Sequence, residues 1–152
     1  MILSTHALVG ATIGKNVENI WLIILFSIVG HFLLDTLRHG EYLNRKSNFK
    51  DTTWKVALDI FIGWSIIAFF LFYQKWPSDV LFRVAIGTFS SMFPDLLTLL
   101  YFKFTFRFLK PVYDFHTWIH RYGQNAPERK WTRRNAANDI IISLIACIIL
   151  FI

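Results

Sequence analysis

An apolar stretch that ends in ionisable residues decides the fold: IWLIILFSIVGHFLLDTLRH, residues 20–39. Within it, His31, Asp35 and His39 follow one another at intervals of four residues. Residues four apart lie on one face of a helix. Because imidazole and carboxylate groups are ligands of first-row metals, this face predicts part of a metal site. Ionisable residues inside an apolar segment are costly, so we take His31 and Asp35 as functional candidates.

The composition predicts a membrane protein. The 152 residues are 55% hydrophobic and 18% aromatic, with a mean hydropathy of +0.44. The apolar residues form four runs, at 20–34, 56–73, 80–102 and 140–152. A membrane-spanning helix needs roughly 20 apolar residues. We therefore expect one all-α, membrane-embedded domain, residues 1–152, folded as an integral membrane bundle of four to five helices.

The first residues predict a shorter helix. A helix over residues 3–13 would be roughly 16 Å long, about half the thickness of a bilayer. Gly10 and Gly14 have the spacing of small residues that lets one membrane helix approach another closely. We expect this first helix to be a half-span that starts at the cytoplasmic face.

The positive charge is concentrated in two segments. Most of the sixteen Lys and Arg residues lie between residues 36 and 55 or in a long basic and aromatic loop, residues 103–138. The positive-inside rule places both segments in the cytoplasm. We expect an integral protein of a prokaryotic cytoplasmic membrane. The same distribution favours contact with anionic lipid headgroups, so we expect no nucleic-acid partner. The sequence leaves the oligomeric state open.

The acidic residues of the apolar runs all fall in the half nearest the basic segments. They are Asp35, Asp59, Asp95 and Asp139. A carboxylate at membrane depth must be paired, protonated or bound to a cation. Pro94 can kink its helix beside Asp95, which would open oxygen atoms toward an inner cavity. The alternative is a kink used for packing, with Asp95 paired to a Lys or Arg.

The histidines fall on the same side as these acids. His116 and His120 form a second pair at a spacing of four residues, and two such imidazoles can bind one metal ion. His6 joins them if the first helix is a half-span. The candidate ligands are therefore His6, His31, Asp35, His39, Asp95, His116 and His120.

Three motifs together resemble a family, the small membrane-bound metal-dependent hydrolases. They are Thr5-His-Ala-Leu-Val-Gly10, Gly30-His-Phe-Leu-Leu-Asp35 and Met92-Phe-Pro-Asp95. The family is similar to zinc-dependent phospholipase C and single-strand-specific zinc nucleases, which are helical and hold up to three zinc ions. The resemblance implies that His6, His31, Asp35 and Asp95 are ligands. The chain departs from the fuller Pro-Asp-x-Asp-His motif, because Leu96, Leu97 and Thr98 follow Asp95.

These observations predict a membrane-bound hydrolase that uses a divalent metal, zinc in our interpretation, to cleave a small or lipid-linked phosphoester. Asp59 or Asp95 is the candidate general base. Arg38, Lys103 or Arg121 is the candidate to neutralise the phosphate. One alternative is a non-catalytic membrane protein whose His/Asp cluster is structural or forms an ion or proton site. Another is a haem protein with His31 as an axial ligand.

Overall fold

The chain is helical in a computed structural model that describes residues 1–41, 49–104, 106–123 and 126–152, without the side chains of 49–51. The α-helices are α1 (Leu3–Asn16), α2 (Ile20–Asp35), α3 (Phe49–Gln74), α4 (Ser78–Phe104), α5 (Lys110–Ile119) and α6 (Arg133–Phe151). Short 3₁₀ turns occupy Arg107–Leu109 and Pro127–Arg129. The described residues contain no strand, so the all-α prediction is confirmed.

The described residues form six α-helices where four to five were expected, because part of the loop of residues 103–138 is helical. Its α5 helix has Pro111 in its first turn, where a missing backbone N–H costs nothing. Three helices are long and apolar enough to cross a membrane: Thr52–Gln74 of α3, Ser78–Phe104 and Arg133–Phe151. The α2 helix is apolar but shorter, at 16 residues. Part of the basic segment 36–55, residues 42–48, lies outside the described residues.

Helix α1 is the centre of the bundle and contacts α2, α3, α4 and α6. Its small residues make this possible. A Cβ on Gly10 would lie 2.3 Å from the carbonyl oxygen of Gly87, and one on Gly14 would lie 2.3 Å from that of Arg83. Helices α1 and α4 therefore cross backbone to backbone, as the small-residue spacing predicted. The apolar core around this crossing is formed by Ala7, Leu8, Ala11, Ile67, Phe70, Val84, Ala146 and Leu150.

The start of α1 is buried and held by carboxylates from two other helices. The backbone N–H groups of Leu3 and Ser4 donate to Asp59 of α3, at 2.7 and 3.2 Å. The N–H of Ile2 donates to Asp139 of α6, at 3.1 Å. The first N–H groups of a helix have no partner within it and favour negative charge. These two acids therefore fix the end of α1 that carries His6.

Candidate metal centre

Asp35 is the centre of a buried cluster that gathers imidazoles from three helices. The Nε2 atoms of His6 and His31 each lie 3.2 Å from its carboxylate oxygens, that of His116 lies at 2.8 Å, and that of His120 lies at 3.6 Å. The Asp35 side chain is 1% exposed. Its carboxylate also lies 2.5 Å from the amino nitrogen of Met1. Buried charges require such partners.

Four of these residues form a group with the geometry of a metal site. One ligand atom from each of His31, Asp35, Asp95 and His116 lies within 4.8 Å of the other three. The Nε2 atoms of His31 and His116 are 3.4 Å apart. Zinc binds such atoms at about 2.0–2.2 Å in a tetrahedron, which sets ligand atoms roughly 3.3–3.5 Å apart. The donor types and spacing therefore fit a divalent metal, and the ligand set does not distinguish zinc from other metals.

A second group, Asp35, His39 and His120, satisfies the same 4.8 Å criterion. It shares Asp35 with the first group, which gives one carboxylate in contact with two candidate positions. The ring centroids of His39 and His120 are 5.3 Å apart, and those of His116 and His120 are 4.9 Å apart. The two positions are therefore neighbours, and Asp35 is placed to bridge them.

Backbone carbonyl groups orient two of the imidazoles. His31 donates from Nδ1 to the carbonyl oxygen of Ser91 at 2.7 Å, and His39 donates from Nδ1 to that of Leu37 at 2.8 Å. A carbonyl oxygen only accepts, so in a neutral His31 ring the proton is on Nδ1. The lone pair of its Nε2 then points into the cluster, as in metal-binding histidines whose other nitrogen donates to a carbonyl.

An ion pair closes the side of the cluster next to His39 and His120. Arg129 donates to Glu41, and the Nε2 of His39 lies 3.2 Å from the same Glu41 oxygen. Burial acts to raise the pKa of Glu41, but the hydrogen bonds and the charge of Arg129 outweigh it and lower that pKa to about 2. Burial lowers the pKa of His120 to about 3. At neutral pH the carboxylate is therefore charged and this imidazole neutral, the forms that bind metals.

A cavity of about 300 Å³ adjoins the cluster. Its polar wall includes Glu41, Asp95, His116, His120 and Arg129. Asp95, with a side chain 27% exposed, is far more accessible than Asp35. The cavity therefore gives a small polar group access to the candidate ligands.

The structure gathers all of the predicted ligands but separates other candidates from them. Asp59 holds the start of α1, as described above, and lies in neither ligand group. Arg38 lies over the Tyr122 ring at 5.6 Å, while Lys103 and Arg121 are exposed. Among the described residues that line the cavity, Arg129 supplies a positively charged guanidinium group.

The contacts made by three residues of this region had no sequence signal. Arg129 is one of several basic residues between 103 and 138, and Glu41 follows the apolar run in a polar segment. Asp139 is recognisable as a membrane-depth acid, but its bond to the first turn of α1 depends on the packing of α6. The histidines were found from a spacing of four residues along the sequence, whereas the contacts of these three residues join distant parts of the chain.

Comparison of the chain with protein-family models, with curated proteins and with solved structures finds no match. The function of the centre must therefore be inferred from its own geometry and chemistry.

Proposed function

We propose that this protein is a membrane-bound, metal-dependent hydrolase that cleaves phosphoesters at the cytoplasmic face of a prokaryotic membrane. The observation that carries the proposal is the pair of ligand groups that share Asp35 and adjoin a cavity containing Arg129. Two adjacent metal positions beside a cationic side chain suit phosphoester hydrolysis, in which charge develops on attacking and leaving oxygens.

The ligands divide between the two positions. His31, Asp35, Asp95 and His116 would hold one ion, and Asp35, His39 and His120 a second. When bound, zinc supplies Lewis acidity that activates water and polarises a phosphoryl oxygen. The resemblance to zinc enzymes supports zinc as the metal, and the mixed imidazole and carboxylate donors are compatible with it. His6, whose Nε2 faces Asp35, is a further candidate ligand.

The remaining steps belong to side chains of the cavity. Arg129 is our candidate to bind the phosphate, since a guanidinium matches phosphate geometry and this one is already oriented by Glu41. Asp95 lines the cavity and is the alternative general base, a role in which it would leave His31, Asp35 and His116 to hold the first ion. We assign Asp59 to positioning α1, because both of its oxygens accept backbone hydrogen bonds.

The second candidate function is a non-catalytic one, in which the polar cluster holds the bundle together. The contacts that favour it are those of Asp59 and Asp139 with α1, and that of Asp35 with the Met1 nitrogen. Buried acids that satisfy backbone donors need no cation. This alternative predicts that Asp35→Asn loses stability and that the wild-type protein binds no metal.

The test is metal content and hydrolysis on the same samples. The wild-type chain is purified in detergent, loaded with Zn²⁺ and freed of excess metal. Its metal content is measured by mass spectrometry, and its hydrolysis of bis(p-nitrophenyl) phosphate is assayed separately. We expect metal and hydrolysis in the wild type, and in His31→Ala and His116→Ala the loss of hydrolysis and of the metal held by the group that contains these two histidines, with helical circular dichroism retained. Asp114→Asn is the control, because Asp114 is exposed and pairs with Lys110 outside the cluster.

Two results would overturn the proposal. One is a correctly folded wild type that retains no metal after loading. The other is hydrolysis that survives metal removal by a chelator.

A further inference from the structure

The cavity beside the centre extends as an apolar cleft between two of the long helices. Both α3 and α4 pack against α1 and leave space between their own faces. One wall is formed by Val56, Ile60 and Trp64, which lie four residues apart on one face of α3. The other wall is the face of α4 that carries Phe89, Met92, Phe93, Leu96 and Leu99. Along α3, the lined face is roughly 12 Å long.

The cleft is polar at one end only. Asp95, His116 and Arg129 line the same cavity as the apolar residues, at the end where Val56 and Leu99 lie. Trp64 and Phe89 are two to three helical turns further from that end along their helices. A ligand that fills the whole cavity must therefore combine a polar head with an apolar chain.

The cleft opens sideways toward the surroundings of the bundle. Trp64 and Phe89 line the cavity and are nevertheless 45% and 58% exposed. Both belong to helices that are long and apolar enough to cross a membrane. In a bilayer, the space next to such helices is filled by lipid hydrocarbon. A chain can therefore pass from the bilayer into the cleft without crossing water.

From this arrangement we propose that the α3–α4 cleft binds the hydrocarbon chain of a membrane phospholipid whose phosphate lies against the polar end, at Arg129. The chain enters laterally between α3 and α4. Because lipid tails are as apolar as the cleft, the cleft contributes orientation and selection by shape rather than a large hydrophobic gain. The hydrolysis of such a lipid depends on the proposed function, whereas the binding of its chain does not.

Photolabelling tests the cleft directly. The full chain is reconstituted in phosphatidylcholine vesicles that contain a phosphatidylglycerol with a diazirine on one acyl chain, and adducts are mapped by mass spectrometry. A diazirine near the ester should label the region of Val56 and Leu99, and one at the chain end should label that of Trp64 and Phe89. No metal is needed for this readout.

Variants distinguish labelling by a chain bound in the cleft from labelling by general contact with lipid. Ile60→Trp fills the cleft from α3 and should reduce labelling of the facing α4 residues to the level of outward-facing positions. Leu96→Trp fills it from α4 and should do the same for α3 if Ile60→Trp does not fold. Leu58→Trp is the matched control, because Leu58 is 49% exposed and does not line the cavity.

The two proposals fail in different ways. Cleft labelling that Ile60→Trp and Leu96→Trp leave unchanged would overturn the lipid-chain site, even with metal and hydrolysis of bis(p-nitrophenyl) phosphate intact. If the wild type binds no metal but both variants abolish labelling of the cleft, the hydrolase proposal is overturned and the lipid-chain site is supported. If both proposals hold, the filling variants should lose hydrolysis of the phospholipid while retaining that of the water-soluble diester.

Discussion

Replacement of Gly87 by alanine tests the backbone contact on which the whole arrangement depends. A Cβ at this position would lie 2.2 Å from the carbonyl oxygen of Gly10. Carbon and carbonyl oxygen normally approach to about 3.3 Å, so α1 and α4 must separate by roughly 1 Å. The obstructing atom belongs to the backbone, which cannot rotate away as a side chain can.

The magnitude follows from two opposing effects. Overpacking of a close contact typically costs about 1–3 kcal/mol, and a backbone obstruction belongs at the upper end. The higher helix propensity of alanine stabilises the helix by about 1 kcal/mol, which offsets part of this cost. We therefore expect Gly87→Ala to lower the free energy of unfolding by about 2 kcal/mol. Because His6 lies one turn from Gly10 and its Nε2 is 3.9 Å from Asp95 of α4, metal retention should fall as well.

Gly30→Ala is the matched control for this experiment. Its Cβ would meet Ile13 at 3.8 Å, an ordinary van der Waals distance, so only the gain in helix propensity remains. Unfolding of both variants in detergent by a denaturant series, followed by circular dichroism, measures the difference. If Gly87→Ala is as stable as Gly30→Ala, the two helices do not cross through their backbones and the reasoning is refuted.

Three further predictions concern the metal centre and its closing ion pair. Asp35→Asn should abolish metal retention, because only Asp35 belongs to both ligand groups. His39→Ala should leave the first position occupied and halve the metal content. Equal losses of metal in the two variants would contradict the shared ligand. Arg129→Ala should lower kcat/KM for a phosphodiester about 10- to 100-fold, as expected for a charged hydrogen bond worth about 1.5–3 kcal/mol, and Arg121→Ala should not. The pKa of Glu41 is lowered from 4.5 to about 2, so its contribution to stability is present above pH 4.5 and is lost as the pH falls through 2; unfolding at pH 7 and pH 2 should show a loss of about 3 kcal/mol that Glu41→Gln lacks.

Much of the fold was predictable from local patterns. The apolar runs at 56–73 and 80–102 correspond to α3 and α4, and the extension of the final run by residues before 140 corresponds to the start of α6. Hydrophobic length is a property of the chain itself, so it is visible without knowledge of packing. The number of helices was not predictable in the same way, because α5 is short and amphipathic rather than uniformly apolar.

The candidate site was predictable to the extent that its members share a helix face. The spacing of His31 and Asp35, and that of His116 and His120, predicted pairs that the structure then brings together. The acids of the apolar runs are paired, but they have two kinds of partner. Asp35 joins the imidazoles, whereas Asp59 satisfies the N–H groups of a buried helix start. Sequence position alone cannot separate these two uses of a buried carboxylate.

The central position of α1 determines when the protein can mature. The N–H of Ile2 and its acceptor Asp139 are 137 residues apart, and Thr5 contacts Ser143 at 3.0 Å. Helix α1 is synthesised long before α6, so its contacts with α6 can form only when the chain is nearly complete. His116 also arrives late, 81 residues after Asp35. The complete set of candidate ligands therefore exists only after most of the chain has been synthesised.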